Sequence, residues 1–257
     1  GSEMCIRDRP KSRGKSLKIR DYQIDAVHTA ISRNRSLIVS PTASGKSLII
    51  YALVRYYQMA GHKILILVPT TSLVEQMYTD FEDYGWSAGT YCQKVYQGYT
   101  TKIEKDVVIS TWQSIFKMPK KYFEQFGAVV GDECHLFKAK SLTSLMHKLH
   151  LTKYRFGLTG TLDGSQTHRL VLEGLFGKVQ KVVTTKELID NKTISDLHIE
   201  AIVLTYSKEE CKIVKNMKYQ EEMDYITQHP RRNKFISDLT LRLKYNTLVL
   251  FLSLIHI

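Results

Sequence analysis

Ser40-Pro41-Thr42-Ala43-Ser44-Gly45-Lys46-Ser47 lies between an apolar, strand-like run, Ser36 to Val39, and a helix-like run, Ser47 to Tyr57. A strand, a short loop ending in Gly-Lys-Ser and a helix are the context of a phosphate-binding P-loop. Polyphosphates carry several negative charges, and a tight loop that turns successive backbone N–H groups inward at a helix N-terminus stabilises them without bulky side chains. On this reading the backbone of Thr42, Ala43 and Ser44 cradles phosphate and Gly45 permits close approach. Lys46 reaches the β/γ-phosphates, and the Ser47 hydroxyl helps to hold Mg²⁺. The first glycine of the general pattern is Ser40 here, so the match is partial. Gly14-Lys15-Ser16 repeats the tripeptide in a basic, polar stretch with no strand before it, and reads as a solvated segment.

Toward the N-terminus, Arg20-Asp21-Tyr22-Gln23 opens a helix with Ile24, Val27 and Ile31 at helical spacing, and polar Ser32 to Arg35 separates it from the strand. Toward the C-terminus, Leu48, Ile49, Ala52, Leu53 and Tyr56 form a helix face, Gly61 ends the helix, and Ile64 to Val68 is a buried-type strand. Pro69-Thr70-Thr71-Ser72 turns into a helix with Val74, Met77, Tyr78 and Phe81 on one face. Ala88 to Val95 and Val107 to Ser110 read as strands, the second followed by Thr111-Trp112-Gln113. Residues 128–131 form another strand, ending in Asp132-Glu133-Cys134-His135. A helix carrying Leu142, Leu145, Met146 and Leu149 follows, then a strand from Tyr154 to Leu158 ending in Thr159-Gly160-Thr161. This alternation predicts an α/β fold whose mostly parallel sheet is covered by helices on both faces, with ligands at the carboxyl ends of the strands.

Past residue 192 the pattern restarts. His198 to Thr205 reads as a strand, Lys208 to Tyr225 as a charged helical stretch, and Arg231 to Lys244 as a helix leading into Leu248 to Leu252. The expected organisation is a leader over 1–16, a nucleotide-binding domain over 17–192, and a linker with the truncated start of a second domain over 193–257. Met4 to Arg9 and Leu252 to Ile257 read as foreign junction sequence resembling adapter-derived read-through, so the basic run Arg7 to Arg20 is not promoted to a nucleic-acid arm.

A chain of 257 residues with 43% hydrophobic content can bury a full α/β core, which argues against disorder. The 37 Lys and Arg against 25 Asp and Glu give a net charge of +12, which suits a polyanionic partner; a lysine-rich soluble enzyme is the plainer alternative. Cys5, Cys92, Cys134 and Cys211 lie far apart, with neither zinc spacing nor a disulfide framework, and a reducing cytoplasm fits. No apolar run reaches the length of a membrane span.

An acidic residue closing an apolar strand is where a P-loop enzyme holds Mg²⁺, and Asp132 occupies that place after Val129-Val130-Gly131. Glu133, one residue on, can orient and deprotonate an attacking water. A solvated loop is the alternative for an isolated Asp-Glu pair. Zinc at Cys134 and His135 is set aside because no other Cys or His lies at ligand spacing, and His135 reads as a polar relay.

Tyr22-Gln23, the P-loop, Pro69-Thr70-Thr71, Ser110-Thr111-Trp112-Gln113, Asp132-Glu133-Cys134-His135 and Leu158-Thr159-Gly160-Thr161 together resemble the ordered motif set of the superfamily 2, DEAD/DEAH-like helicases. The wording of the P-loop, of the stretch around Thr70, of Asp132 to His135 and of Tyr219-Gln220-Glu221-Glu222 is similar to the phage recombination and repair branch. The resemblance spans roughly residues 17 to 250 and implies a RecA-like P-loop fold. It implies an ATP-dependent DNA helicase or translocase using ATP and Mg²⁺. The expected setting is a bacterial or phage-host cytoplasm, with DNA favoured over RNA, no membrane, and a monomer favoured.

By the same resemblance Gln23 reads the adenine with Tyr22 or Arg20 beside it. His135, Thr159 and Thr161 couple hydrolysis to motion, and Thr70, Thr71, Thr111 and Gln113 contact the nucleic-acid backbone. Ordinary helix capping is the alternative for the Ser/Thr turns, and Trp112 reads as core more readily than as a stacking platform. The family places arginine fingers on a second RecA-like domain, so an isolated first domain has half an ATP site. A restriction-type translocase subunit, an ATP-gated clamp or annealing factor, and a small-molecule P-loop kinase are the rival readings. The kinase is disfavoured because it requires neither Asp132 to His135 nor the threonine motif.

Overall fold

Seven short, mostly apolar segments pair into one fully parallel sheet in the computed structural model, which describes residues 11–12, 15–136, 139–162, 166–195, 199–244 and 246–249. A small ladder of β1 (Lys11–Ser12) and β2 (Lys15–Ser16) precedes it. The sheet comprises β3 (Arg35–Val39), β4 (Lys63–Val68), β5 (Cys92–Val95), β6 (Val107–Thr111), β7 (Phe126–Gly131), β8 (Tyr154–Thr159) and β9 (Val179–Lys181), in the order β5-β6-β4-β7-β8-β3-β9. Every neighbouring pair is parallel. The order places β3, which feeds the P-loop, beside β8 and one strand from β7, so three predicted motifs emerge on one edge.

Side chains alternate across the sheet with period two, as burial on both faces requires. Ile38, Ile64, Ile66, Val68, Ile109 and Val130 face one core with helices α1 (Asp21–Arg33), α2 (Lys46–Met59), α3 (Thr71–Asp83) and the single turn α4 (Ala88–Tyr91). Leu37, Leu65, Leu67, Val108 and Val129 face the other, with α5 (Trp112–Ile115), α6 (Lys120–Phe123), α7 (Ala139–Lys148) and α8 (Gln166–Phe176). A short α9 (Thr185–Asp190) follows β9. The expected α/β sheet covered on both faces is therefore present.

Four local readings change. Ala88 to Tyr91 is a helical turn, and the strand begins only at Cys92, whose partner Val107 is the first residue of β6; backbone before it has no strand to pair with. In α1 the buried positions are Gln23, Ala26 and Ala30, while Ile24 is exposed, because the helix turns Gln23 toward the P-loop. Helix α2 buries Ile50, Tyr51, Val54 and Tyr57 besides the expected Leu48, Ile49 and Leu53, since it packs on α1 and α3 as well as on β4. Lys15-Ser16 is a short strand and another, Lys11–Ser12, precedes it, contrary to the expected strand-free, solvated segment, while Gly14 lies outside the described residues. Helix α8 and β9 were not anticipated. Gly157 in β8 is what lets α8 approach, since a Cβ there would come within 2.8 Å of Phe176 and 3.0 Å of Leu37.

The chain divides into two compact units, residues 1–196 and 197–257. The second contains α10 (Lys208–Val214), α11 (Tyr219–Gln228) and α12 (Pro230–Arg242), so the charged helical stretch is two helices. The strand expected over His198 to Thr205 is not formed by its described residues, 199–205, and no strand among the described residues of this unit offers their backbone a partner; His198 lies outside them. Met4 to Arg9 and residues 250–257 also lie outside the described residues. No helix among the described residues is long and apolar enough to cross a membrane.

Candidate nucleotide site

The loop between β3 and α2 is shaped by its own short side chains. Ser44 Oγ donates to the Pro41 carbonyl at 2.6 Å and accepts from Ser40 Oγ at 2.6 Å, closing the loop on itself. Left-handed backbone occurs at Ala43 (φ 64°) and Gly45 (φ 82°) but not at Ser40. Ser40 therefore serves where the general pattern has glycine, because this loop takes its tight turn later. Gly45 is required twice, since a Cβ there would also lie 2.3 Å from Gln23 Nε2.

Helix α1 braces the loop from outside. Gln23, 3% exposed, donates through Nε2 to the Ser44 carbonyl at 2.9 Å and accepts at Oε1 from the Arg20 backbone N–H at 3.0 Å. Tyr22 Oη donates to the same Ser44 carbonyl at 2.9 Å and accepts from Arg20 Nη1 at 2.6 Å. Arg20, Tyr22 and Gln23 are thus brought to the P-loop, and the Gln23 amide is committed to loop backbone.

Lys46 and Ser47 open α2. Lys46 Nζ lies 2.6 Å from Glu133 Oε1, joining the P-loop to the end of β7. Asp132 is buried, its backbone N–H donates to the Leu67 carbonyl of β4 at 2.8 Å, and its Oδ1 accepts from the Glu133 N–H at 2.9 Å. Burial first and the neighbouring Glu133 second push its carboxyl up from 3.8 to about 6. Glu133 has φ 46°, a left-handed conformation that costs a non-glycine residue roughly 1–3 kcal/mol. The strained residue is the one whose carboxylate meets the P-loop lysine.

From Glu133 a polar chain continues to β8. His135 Nδ1 lies 3.3 Å from Glu133 Oε2 and 2.7 Å from Thr159 Oγ1, and Thr159 Oγ1 donates to the Thr161 carbonyl at 2.7 Å. Since the Thr159 proton is used on Thr161, Thr159 accepts from His135, which puts the imidazole proton on Nδ1. Lys46, Glu133, His135, Thr159 and Thr161 therefore form one continuous connection. Sequence reading missed three members of this surround. Gly160 approaches Lys46 so closely that a Cβ would lie 3.3 Å from its Nζ, His168 Nε2 meets the His135 carbonyl at 3.1 Å, and Tyr84 Oη lies 2.7 Å from Ser47 Oγ.

The strand ends of β4 and β6 carry the other predicted group. Val68 pairs with Thr111, and Gln113 Nε2 reaches the Pro69 carbonyl at 3.4 Å, so the two turns adjoin. Thr71 and Gln113 are exposed. Thr70 is the N-cap of α3, its Oγ1 accepting from the Leu73 N–H at 3.3 Å. Thr111 departs from expectation: it is buried and its hydroxyl is bonded to Ser114 Oγ at 2.7 Å, so it is not presented outward. Trp112 is partly buried against the second core.

The donor set fits a magnesium nucleotide. Ser47 and Asp132 supply hard oxygens, and two adjacent carboxylates, one buried, favour a cation beside them. Among the described residues no three His, Cys, Asp or Glu side chains converge as metal ligands, so the ion would complete its shell with phosphate and water oxygens.

The family model described as Type III restriction enzyme, res subunit, matches residues 16–164. The ATP-dependent DNA helicase uvsW of Enterobacteria phage T4 is 38% identical over 243 residues, 91% of this chain and 48% of that protein. The DNA 3'-5' translocase XPB2 of Sulfurisphaera tokodaii is 26% identical over 202 residues, 76% of this chain and 42% of its own length. The crystal structure of the UvsW helicase from bacteriophage T4 superposes with a TM-score of 0.63 at 38% identity, covering 67% of this chain and 63% of that one. The chain spans about half the length of these two curated relatives. With a RecA-like sheet, the P-loop and Asp132 to His135 all inside the matched span, the chain belongs to the Type III restriction enzyme, res subunit, family of superfamily 2 helicases.

Proposed function

We propose that this chain carries the first motor domain of an ATP-dependent DNA helicase or translocase, which couples Mg-ATP hydrolysis to movement on, or remodelling of, branched or duplex DNA. The observation that carries this is the 2.6 Å pair between Lys46 and Glu133, with Asp132 and Ser47 beside it. Lys46 holds phosphate charge, Ser47 and Asp132 hold Mg²⁺, and Glu133 orients the attacking water and takes its proton. Bound metal neutralises phosphate charge. Because Glu133 also lies 3.3 Å from His135, its state is communicated to Thr159 and Thr161, the coupling pair. Gln23 braces the P-loop and reads adenine by exchanging its Ser44 bond for the base, with Tyr22 and Arg20 beside it.

Thr71, Gln113 and the N-terminal amides of α3 at Thr70 contact the DNA backbone, a mode that positions without reading sequence. Residues 17–192 form the ATP-binding domain and 193–257 the linker and truncated start of a second RecA-like domain. The protein works as a monomer in a bacterial or phage-host cytoplasm. Translocation without strand separation is the second reading, favoured by the restriction-subunit family description and by the translocase relative. The test uses a longer protein containing this chain. DNA-stimulated ATPase with unwinding of a forked duplex is the expected result, triplex displacement without unwinding selects the second reading, and ATPase indifferent to DNA sinks both.

A further inference from the structure

The edge strand β5 runs into a tight turn that carries two tyrosines. The Tyr99 N–H donates to the Tyr96 carbonyl at 2.9 Å, and Gly98 between them has φ 92°, as the third position of a type II turn requires. The two rings lie 4.5 Å apart, tilted by 53°. Lys94 Nζ lies 5.3 Å from the Tyr99 ring centroid and 4.8 Å from that of Tyr78 on α3, and it pairs with Glu75 of α3 at 2.9 Å. Glu75 also accepts a hydrogen bond from Tyr96 Oη. The turn is thus tied to α3 by two side chains that meet one carboxylate, yet Tyr99 stays 44% exposed.

Strand register fixes where this ring stands. Val95 pairs with Ser110 and Ser110 with Leu67, so Tyr96 comes out on the same edge of the sheet as Thr111 and Val68, the residues that lead to Gln113 and Thr71. Adjacent strands are about 4.8 Å apart, which sets the turn about 10 Å across that edge from the end of β4. A singly exposed tyrosine is ordinary, but one already ordered by a turn and by its neighbours gives up little freedom when a ligand covers it. Because Glu75 neutralises Lys94, the cluster offers a ring rather than a free cation. A ring of this kind takes the π-face of a base, which tolerates any sequence but requires the base to be unpaired.

Resting on the DNA-contact reading above, we infer that Tyr99 is a stacking platform for an unpaired base of the strand whose backbone passes Thr71 and Gln113. The backbone contacts hold any strand, single or paired, whereas the platform adds affinity only where bases are free. Its contribution therefore comes from the base and not from the phosphates, and it leaves the number of released counterions unchanged.

The test measures, by fluorescence anisotropy, binding of this chain to a labelled oligo-dT strand and to an abasic strand of the same length, across a salt series, with thermal unfolding of each variant recorded alongside. Tyr99→Leu should weaken binding of oligo-dT about 5- to 150-fold, the worth of one stacked base, while leaving the abasic strand and the salt slope unchanged. Tyr99→Phe keeps the ring and loses only the hydroxyl, so it should bind both strands as the unsubstituted chain does. Equal losses on the two strands, an undiminished affinity of Tyr99→Leu for oligo-dT, or a loss in Tyr99→Phe as large as in Tyr99→Leu would overturn the inference. An unsubstituted chain that binds neither strand would instead overturn the DNA-contact reading, and this inference with it.

Discussion

Replacing Asp132 by Asn should make the protein more stable at neutral pH while removing its response to magnesium nucleotide. In the native state burial and Glu133 raise the Asp132 carboxyl from 3.8 to about 6. At about 1.36 kcal/mol per unit, holding it ionised costs about 3 kcal/mol of folding stability. The sign follows from proton binding. The folded state holds the proton more tightly, so stability is highest below about pH 4, falls as pH rises toward 6, and is level above. Asn does not titrate, and its Oδ1 still accepts the Glu133 N–H now at 2.9 Å. The new amide protons need partners, which costs about 1 kcal/mol. The stability difference between Asp132→Asn and the unsubstituted chain, from urea unfolding, should rise between pH 4 and pH 7.5 by about 1–3 kcal/mol in favour of the variant. A difference independent of pH, or a variant less stable at pH 7.5, would refute the reasoning. The cost is what a site prepared for a divalent cation should show, since it keeps an anion buried until the ion arrives.

Gly45→Ala should destabilise the protein by about 1–2 kcal/mol and weaken nucleotide binding, because φ is 82° and the added Cβ would displace Gln23; unfolding and ADP titration read both effects. Glu133→Gln, in a longer protein containing this chain, should keep ATP bound while turnover falls about 10²- to 10⁴-fold; loss of binding in a folded variant would make Glu133 structural. Gly157→Ala should cost about 1–3 kcal/mol through overpacking against Phe176 and Leu37, with no effect on the nucleotide affinity of the folded fraction. Single-strand binding by this chain should be sequence-independent and fall steeply with salt, and a flat salt series would remove the backbone-contact reading.

The central strands were legible because burial on both faces leaves uninterrupted apolar runs: Ile64 to Val68 and residues 128–131 were located within two residues of β4 and β7. Short elements whose existence depends on a neighbour were not. Ala88 to Tyr91 looks like strand, but pairing begins only where β6 begins. β9 is three residues long and is specified by its pairing with β3 rather than by its own pattern. At the site, Lys46, Ser47, Asp132 and Glu133 announce themselves through position at the ends of apolar runs. The contact of Tyr84 with Ser47 spans 37 residues and leaves no local trace. Thr111 shows the converse, since a motif position gives no sign of whether its hydroxyl faces outward or caps the next turn.

The most direct measurement is ADP binding by calorimetry in Mg²⁺ for this chain and for two variants of its repeated Gly-Lys-Ser tripeptide. Lys46→Ala should abolish detectable binding, because it removes the cation at the P-loop and leaves Glu133 facing phosphate unopposed. Lys15→Ala should bind as the unsubstituted chain does, since Lys15 sits in a two-residue strand paired with Lys11–Ser12 and not at the start of a helix. Equal losses from both changes, or binding that survives Lys46→Ala, would contradict the assignment of residues 40–47 as the nucleotide site.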